Sequence, residues 1–355
     1  MPHRAPSVGG VLEIMDGTAT SASDDASDPQ FSPRGVTTSE LAPLWFVRYR
    51  LRLVPRAPLV LPPHGRGAIL RGAFGIVLRR LVCHDLRLVC RACPLVADCP
   101  YPSTFEPRPP EGGDRLSNFS NLPTPFVIDV PADERAEYRP GEVLEFGLTV
   151  VGRAARLAPY YVTTFRQLAD EGIGPRRARF DLVEVTAVGA GRATVVYQNT
   201  EPLVRLDAPA VRAADLARAG DDARTRLTVR FVTPMDLKDR GAAVAVPEFG
   251  PIVRRLRDRA STLASFFADG PLDLDWKGIS TLADAVRLVE NRTRVVTVNR
   301  RSSRTGQLHD IGGIVGEATY EGEAIGRVMP LVRLGEVVHV GRHAAFGNGG
   351  MEVVR

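Results

Sequence analysis

Lysine is almost missing from this chain: of 46 basic residues only Lys238 and Lys277 are lysines, and the rest are arginines. Two causes fit that bias, a GC-rich coding sequence and a demand for planar guanidinium forks that grip phosphate. No stretch approaches the roughly 20 apolar residues needed to cross a bilayer. The first forty residues also lack the continuous apolar core of a secretory signal. Both absences point to a cytoplasmic protein without membrane contact, a setting in which disulfides do not persist. Cysteine is scarce as well, with four in 355 residues, all between positions 83 and 99.

What is present suffices for a packed core. Hydrophobic residues make up 44% of the chain, and its length accommodates two domains. A formal charge of +5 permits a polyanionic partner without demanding one. Residues 1–42 are rich in Ser, Thr, Asp, Gly and Pro and carry no sustained periodicity, so they are expected to form a disordered leader.

Order is expected from Leu44. Val47, Tyr49, Leu51 and Leu53 alternate with Arg48, Arg50 and Arg52, the period of a strand with one buried face. The arginine face fits a solvated sheet surface or a contact with RNA. Helical spacing of apolar residues predicts a helix over 68–81 and a second over 158–171, the latter stopped by Gly172 and Gly174. A proline-rich stretch over 100–131 is expected to wrap the surface. Strands are predicted from Leu144 and from Phe180. In the second half, the expected strands begin at Leu227, Arg294, Gly312 and Val337, and the expected helices span 249–267 and 281–290. This order predicts an α+β fold of two tandem ferredoxin-like (RRM-like) domains, 43–195 and 196–355.

Cys83, Cys90, Cys93 and Cys99 form a four-cysteine metal-binding insertion at 83–101 of the first domain. Four thiolates within seventeen positions suit a closed tetrahedral shell around zinc, which leaves no open coordination position and so marks a structural metal. An iron–sulfur cluster and unmetallated thiols are the alternatives.

Several segments, in order, resemble the CRISPR pre-crRNA-processing endoribonucleases of the RAMP superfamily: LPPHGRGAILRGAFG, the cysteine segment through CPY and FEP, PGEVLEFGLTVVGRA, APYYVTTFRQLADEGIGPRRARFDLVEV, FVTPMDLKDRG, RSSRTGQLHDIGGIVGEATYEG and the terminal LGEVVHVGRHAAFGNGG. The resemblance implies binding of CRISPR repeat RNA and its cleavage without metal. In that reaction the 2′-OH attacks the adjacent phosphate and leaves a 2′,3′-cyclic phosphate. It also implies other Cas effector subunits as possible partners.

The residues can be read for those roles. Gly341, Gly347, Gly349 and Gly350 permit positive φ and close approach of backbone to RNA, with Arg342 and Phe346 as further contacts. Arg66 and Arg71 flank the start of the first helix, and Arg301 and Arg304 close an arginine stripe that begins at Arg287. Histidine serves as base or acid near neutral pH; His64, in the loop before the first helix, is the first candidate and His339 the second. Two other readings stand beside this one. They are a non-catalytic RAMP subunit that binds crRNA in an effector complex, and a zinc-stabilised interaction module unrelated to RNA.

Overall fold

The computed structural model describes residues 32–109, 122–189, 191–201, 203–239, 241–301 and 306–354. The first domain runs β1 (Trp45–Pro55), α1 (Arg66–Val82), α2 (Pro100–Phe105), β2 (Phe126–Asp129), β3 (Leu144–Val151), α3 (Ala158–Glu171), β4 (Phe180–Gly189) and β5 (Arg192–Gln198). Its antiparallel sheet has the order β2-β3-β1-β4-β5, and the short strand Val211–Arg212 joins the start of β1. With β5 set aside, this is the ferredoxin-like β-α-β-β-α-β arrangement.

Alternation along β1 sends Val47, Tyr49, Leu51 and Leu53 into the core beneath α1 and α3. At its centre Phe74 of α1 meets Phe105, Phe126 and Tyr161 edge-on and stacks on Phe165 at 5.1 Å. The other face of β1 carries Arg48, Arg50 and Arg52. Glu145 lies 3.2 Å from Arg50 and 4.0 Å from Arg52 across the strands, so much of this face is a charge-paired sheet surface.

The second domain runs β6 (Arg226–Met235), α4 (Phe249–Phe267), α5 (Trp276–Asp284), β7 (Arg287–Val296), the small hairpin β8 (Asn299–Arg301) and β9 (Leu308–Asp310), β10 (Gly313–Glu321), α6 (Ile325–Val338) and β11 (Met351–Val354). Its sheet order is β7-β10-β6-β11, again ferredoxin-like. On its open face Arg230 bridges Glu317 at 2.7 Å and Glu352 at 3.9 Å, and Arg226 pairs with Glu321. The two domains share material: Phe46 and Val151 of the first sheet, and Leu44 just before β1, are buried in the core of the second domain.

Several expectations are corrected. Residue 195 lies inside β5, and the first sheet still holds Val211, so the division falls between 212 and 226. Residues 1–31 lie outside the described residues. Residues 32–42, expected in the leader, include a 3₁₀ turn at Ser39–Leu41, and both Val36 and Leu41 are buried in the core. The proline-rich stretch contains α2 and the edge strand β2. The short helix expected at 281–290 lies at Trp276–Asp284, set by the Asp275 side chain accepting from the Gly278 amide at 2.8 Å. The strand expected from Val337 is the end of α6, which is buried on nearly every side and so shows no amphipathic period.

Candidate nucleic-acid interface

The loop from β1 to α1 ends at Gly65, whose φ of 93° no side-chain-bearing residue adopts readily. His64 precedes it, half-buried at the surface. Burial lowers its pKa below the ordinary 6.5, the positive charges of Arg294 and Arg66 add to that, and Glu134 opposes them. The next residue touches the other domain, since a Cβ on Gly65 would stand 3.1 Å from Val298 Cγ1.

One turn along α1, the Arg71 guanidinium lies 4.2 Å from the Phe346 ring centroid, and Arg300 of β8 lies 4.7 Å from the same ring. Burial, then the charge of Arg300, pushes the Arg71 pKa down to about 10. Burial lowers that of Arg300 as well. Among the described residues no carboxylate pairs with Arg71, Arg294 or Arg300, and Arg71 Nε is buried without a hydrogen-bond partner. Two cations gathered on one ring, with no carboxylate paired to either among the described residues, make the local potential positive.

The glycine-rich loop supports this cluster from behind. Several of its amides bond within the protein: Arg342 N donates to Asp236 O, Gly347 N to Ala344 O, Gly349 N to Pro234 O and Gly350 N to Thr233 Oγ1. The glycines make room for protein backbone, since a Cβ on Gly347 would press on Ile128 O at 2.9 Å, and Gly341 and Gly349 meet the carbonyls of Asp236 and Val340. Of these three glycines, Gly347 brings the loop against the first domain, and the other two pack within the second. Arg342 lies 2.7 Å from Asp236, and His343 Nε2 sits 3.4 Å from the same carboxylate. Burial would raise the Asp236 pKa, but hydrogen bonds from His343 and Arg342 outweigh it and hold it below the ordinary carboxylate value.

Two further expectations change. Arg66 is 0% exposed; it donates to Asp133 Oδ1 at 2.9 Å, to Tyr138 Oη at 3.1 Å and to the carbonyls of Asp133 and Arg135. It braces the 131–138 turn and does not face solvent. His339 is 2% exposed, its Nδ1 is bonded to Asn348 O at 3.0 Å, and Asp129 lies 3.8 Å from Nε2. It caps α6 in the interior. Arg301 is exposed on the hairpin, and Arg304 lies outside the described residues. His343 reads in the sequence as added charge beside Arg342, and Arg294 and Arg300 as members of the arginine stripe; the meeting of Arg300 with Arg71 on Phe346 is what the sequence does not reveal.

All four cysteines line one cavity of about 240 Å³ with His84, Asp85 and Tyr101. Burial raises the Cys90 and Cys99 thiols, and neighbouring cysteines contribute to both shifts. Among the described residues, however, no three His, Cys, Asp or Glu form a group that could hold a metal ion. The expected closed shell of four thiolates is therefore not formed, although the donors face a common space.

Two tandem ferredoxin-like domains, with the glycine-rich loop of the second packed against the first, form the described chain. Residues 229–351 match the family model of the CRISPR-associated endoribonuclease Cas6, and residues 43–209 match the AF_1859_N N-terminal domain. Over residues 229–351 the chain is thus similar to Cas6. An Archaeoglobus fulgidus protein described as uncharacterized is 25% identical over 295 residues, covering 81% of this chain and 91% of that one. The partial Cas6-RT-Cas1–Cas2 complex shares the fold with a TM-score of 0.53, at 11% identity over 88% of this chain and 46% of that chain. A Thermus thermophilus Cas6 is 17% identical over 88% of this chain and 99% of its own, with a TM-score of 0.47. Among the described residues no helix is long and apolar enough to cross a membrane.

Proposed function

We propose that this protein binds CRISPR repeat RNA and cuts it once by metal-independent transesterification. The observation that supports the reading is a set of cations without an acidic partner among the described residues: Arg294, whose charge acts on His64, and Arg71 with Arg300 on Phe346. His64 takes the proton of the ribose 2′-OH, and the freed oxygen attacks the adjacent phosphorus. The phosphorane charge rests on the arginines. The bond to the 5′ oxygen breaks, and His343, held by Asp236 and 5.7 Å from the Phe346 ring, supplies the proton to the departing oxygen. The products are a 2′,3′-cyclic phosphate and a 5′-OH. Phe346 and the exposed Arg301 on the hairpin position the strand.

Incubating the purified protein with its own genome's repeat RNA in EDTA tests the reading. One cut with a cyclic phosphate on the upstream fragment is expected. Tight binding without cleavage supports instead a crRNA-binding subunit of an effector complex.

The cysteine cavity is read as the seat of a structural zinc that draws the four thiolates together when bound. Its support is the donor chemistry, four soft sulfur ligands on one cavity. Such an ion takes no part in the cut.

A further inference from the structure

Away from His64, at the far end of the same loop, lies a cleft of about 460 Å³ whose every polar lining side chain is an arginine: Arg56, Arg176, Arg177 and Arg179, with Ala57, Pro58 and Ala178 between them. Among the described residues no acidic side chain lines it. The nearby carboxylates fix arginines from the side: Asp181 and Asp170 hold Arg56, and Glu171 lies 3.9 Å from Arg177 and also pairs with Arg80. Arg176 and Arg179 are exposed and have no ion-pair partner among the described residues.

The backbone that presents them is under strain. Arg177 has φ of 47°, one of three non-glycine residues with positive φ among those described. The turn is closed by Arg177 N donating to Gly174 O at 3.1 Å and by the Ile173–Ala178 bridge. Glycine suits that position at no steric cost, yet a guanidinium stands there; strain of this kind collects where a side chain is needed in one direction. The cleft is tied to the loop that leads to His64. Arg56 N donates to Arg179 O at 2.8 Å, and Gly174 fits under the Val60 carbonyl. His64 lies eight positions after Arg56, so their backbones are at most about 29 Å apart.

We propose that this four-arginine cleft is a second anchoring site that holds backbone phosphates of the repeat RNA outside the nucleotides being cut. The inference rests on the RNA-binding reading above and adds a subsite to it. Guanidinium forks match phosphate oxygens in pairs, and contacts to phosphates fix register without reading sequence. The anchor therefore sets register and affinity and leaves sequence choice to other contacts.

Binding of two RNAs tests it, measured as a function of salt: the full repeat, and a short oligonucleotide limited to the cut site and its nearest neighbours. For the Arg176→Ala/Arg179→Ala double variant, affinity for the full repeat is expected to fall roughly tenfold or more. Its log–log salt slope should become shallower by about 1.4, two phosphate contacts of about 0.7 each. Affinity for the short oligonucleotide, and single-turnover cleavage at saturation, should stay as in the unaltered protein. Arg177→Gly keeps the turn, relieves its strain and should also weaken the full repeat alone, which separates charge loss from misfolding. If the unaltered protein binds no repeat RNA, the functional reading falls and the anchor with it. If it binds, and the double variant matches it on the full repeat or weakens both RNAs equally, the anchor alone is overturned.

Discussion

Gly67, in the first turn of α1, lies directly beneath the peptide carbonyl of Phe346: a Cβ there would stand 2.9 Å from the carbonyl carbon and closer still to its oxygen. Through this contact the start of the first domain's helix and the last loop of the second domain become one surface, with Arg71 on Phe346 just beyond it. Gly67→Ala should force the two apart. A loss of about 1–3 kcal/mol in unfolding free energy is expected, typical of overpacking against backbone, together with weaker RNA binding. Chemical denaturation and a binding titration check both; an unchanged midpoint would show that the loop yields freely.

His64→Ala should leave affinity for the repeat nearly intact while slowing single-turnover cleavage by roughly 10²-fold or more, the usual yield of a positioned base. Because burial and Arg294 depress its pKa, the neutral form needed by a base is present further down in pH. On its acid limb the cleavage rate should therefore rise with pH through an apparent pKa below 6.5. A limb centred above 6.5, or normal cleavage by the variant, would exclude His64 as the base.

Stability at low pH has a separate source. Arg333 of α6 donates to both oxygens of Asp221 at 2.8 and 2.9 Å in the interior. Burial alone would raise the Asp221 pKa, but the hydrogen bonds from Arg333 and the Arg218 amide outweigh it and hold it below the ordinary 3.8. A carboxylate depressed in the folded state contributes stability above its unfolded pKa, and that contribution is lost as pH falls through the folded value. Melting temperature should thus decline below about pH 4, and Asp221→Asn should flatten that part of the profile. The substitution itself should cost about 3 kcal/mol, the lower end for breaking a buried pair, since Glu336 at 3.1 Å still faces Arg333.

Amphipathic elements are the legible part of this fold. α3 and α4 fall at the predicted 158–171 and 249–267 because each buries one stripe and exposes the other. α6 escapes the pattern because Ile325, Val328, Met329, Leu331, Val332, Leu334 and Val338 are buried all around it and Pro330 interrupts it, so local periodicity carries no helix signal. The site divides in the same way. His64, Arg71 and Phe346 are legible from motif order. Arg66 and His339 read as RNA-facing in the sequence, yet their burial depends on partners, Asp133 and Asn348, 67 and 9 positions away, which no local pattern reveals.

The cysteine cavity gives a test independent of RNA. Elemental analysis of protein purified without chelator should return about one zinc per chain, and Cys93→Ser should lower both zinc content and melting temperature. Absorption near 400 nm would point to an iron–sulfur cluster. Metal-free protein of unchanged stability would show that the thiols serve only as apolar lining. Cleavage in EDTA should persist in any of these cases, because His64 is not among the residues that line the cysteine cavity.

Arginines of this chain separate into those already neutralised and those left open, and the difference ranks their effects on RNA. Arg342 is committed to Asp236 at 2.7 Å, so Arg342→Ala should change the salt dependence of binding little. Arg71 and Arg300 share Phe346 without a carboxylate among the described residues, and burial lowers the pKa of each. Bringing them together costs the free protein energy that a phosphate between them would recover. Removing one relieves that repulsion, so Arg300→Ala should leave the melting temperature unchanged or raise it slightly, while repeat affinity falls. Each of Arg71→Ala and Arg300→Ala should also make the log–log salt slope shallower by about 0.7, the share of one contact to single-stranded RNA. The double variant should lose less than the sum of the two, because both act on one phosphate. Equal effects at Arg342 and Arg300 would place the RNA elsewhere and remove the electrostatic argument for this cleft.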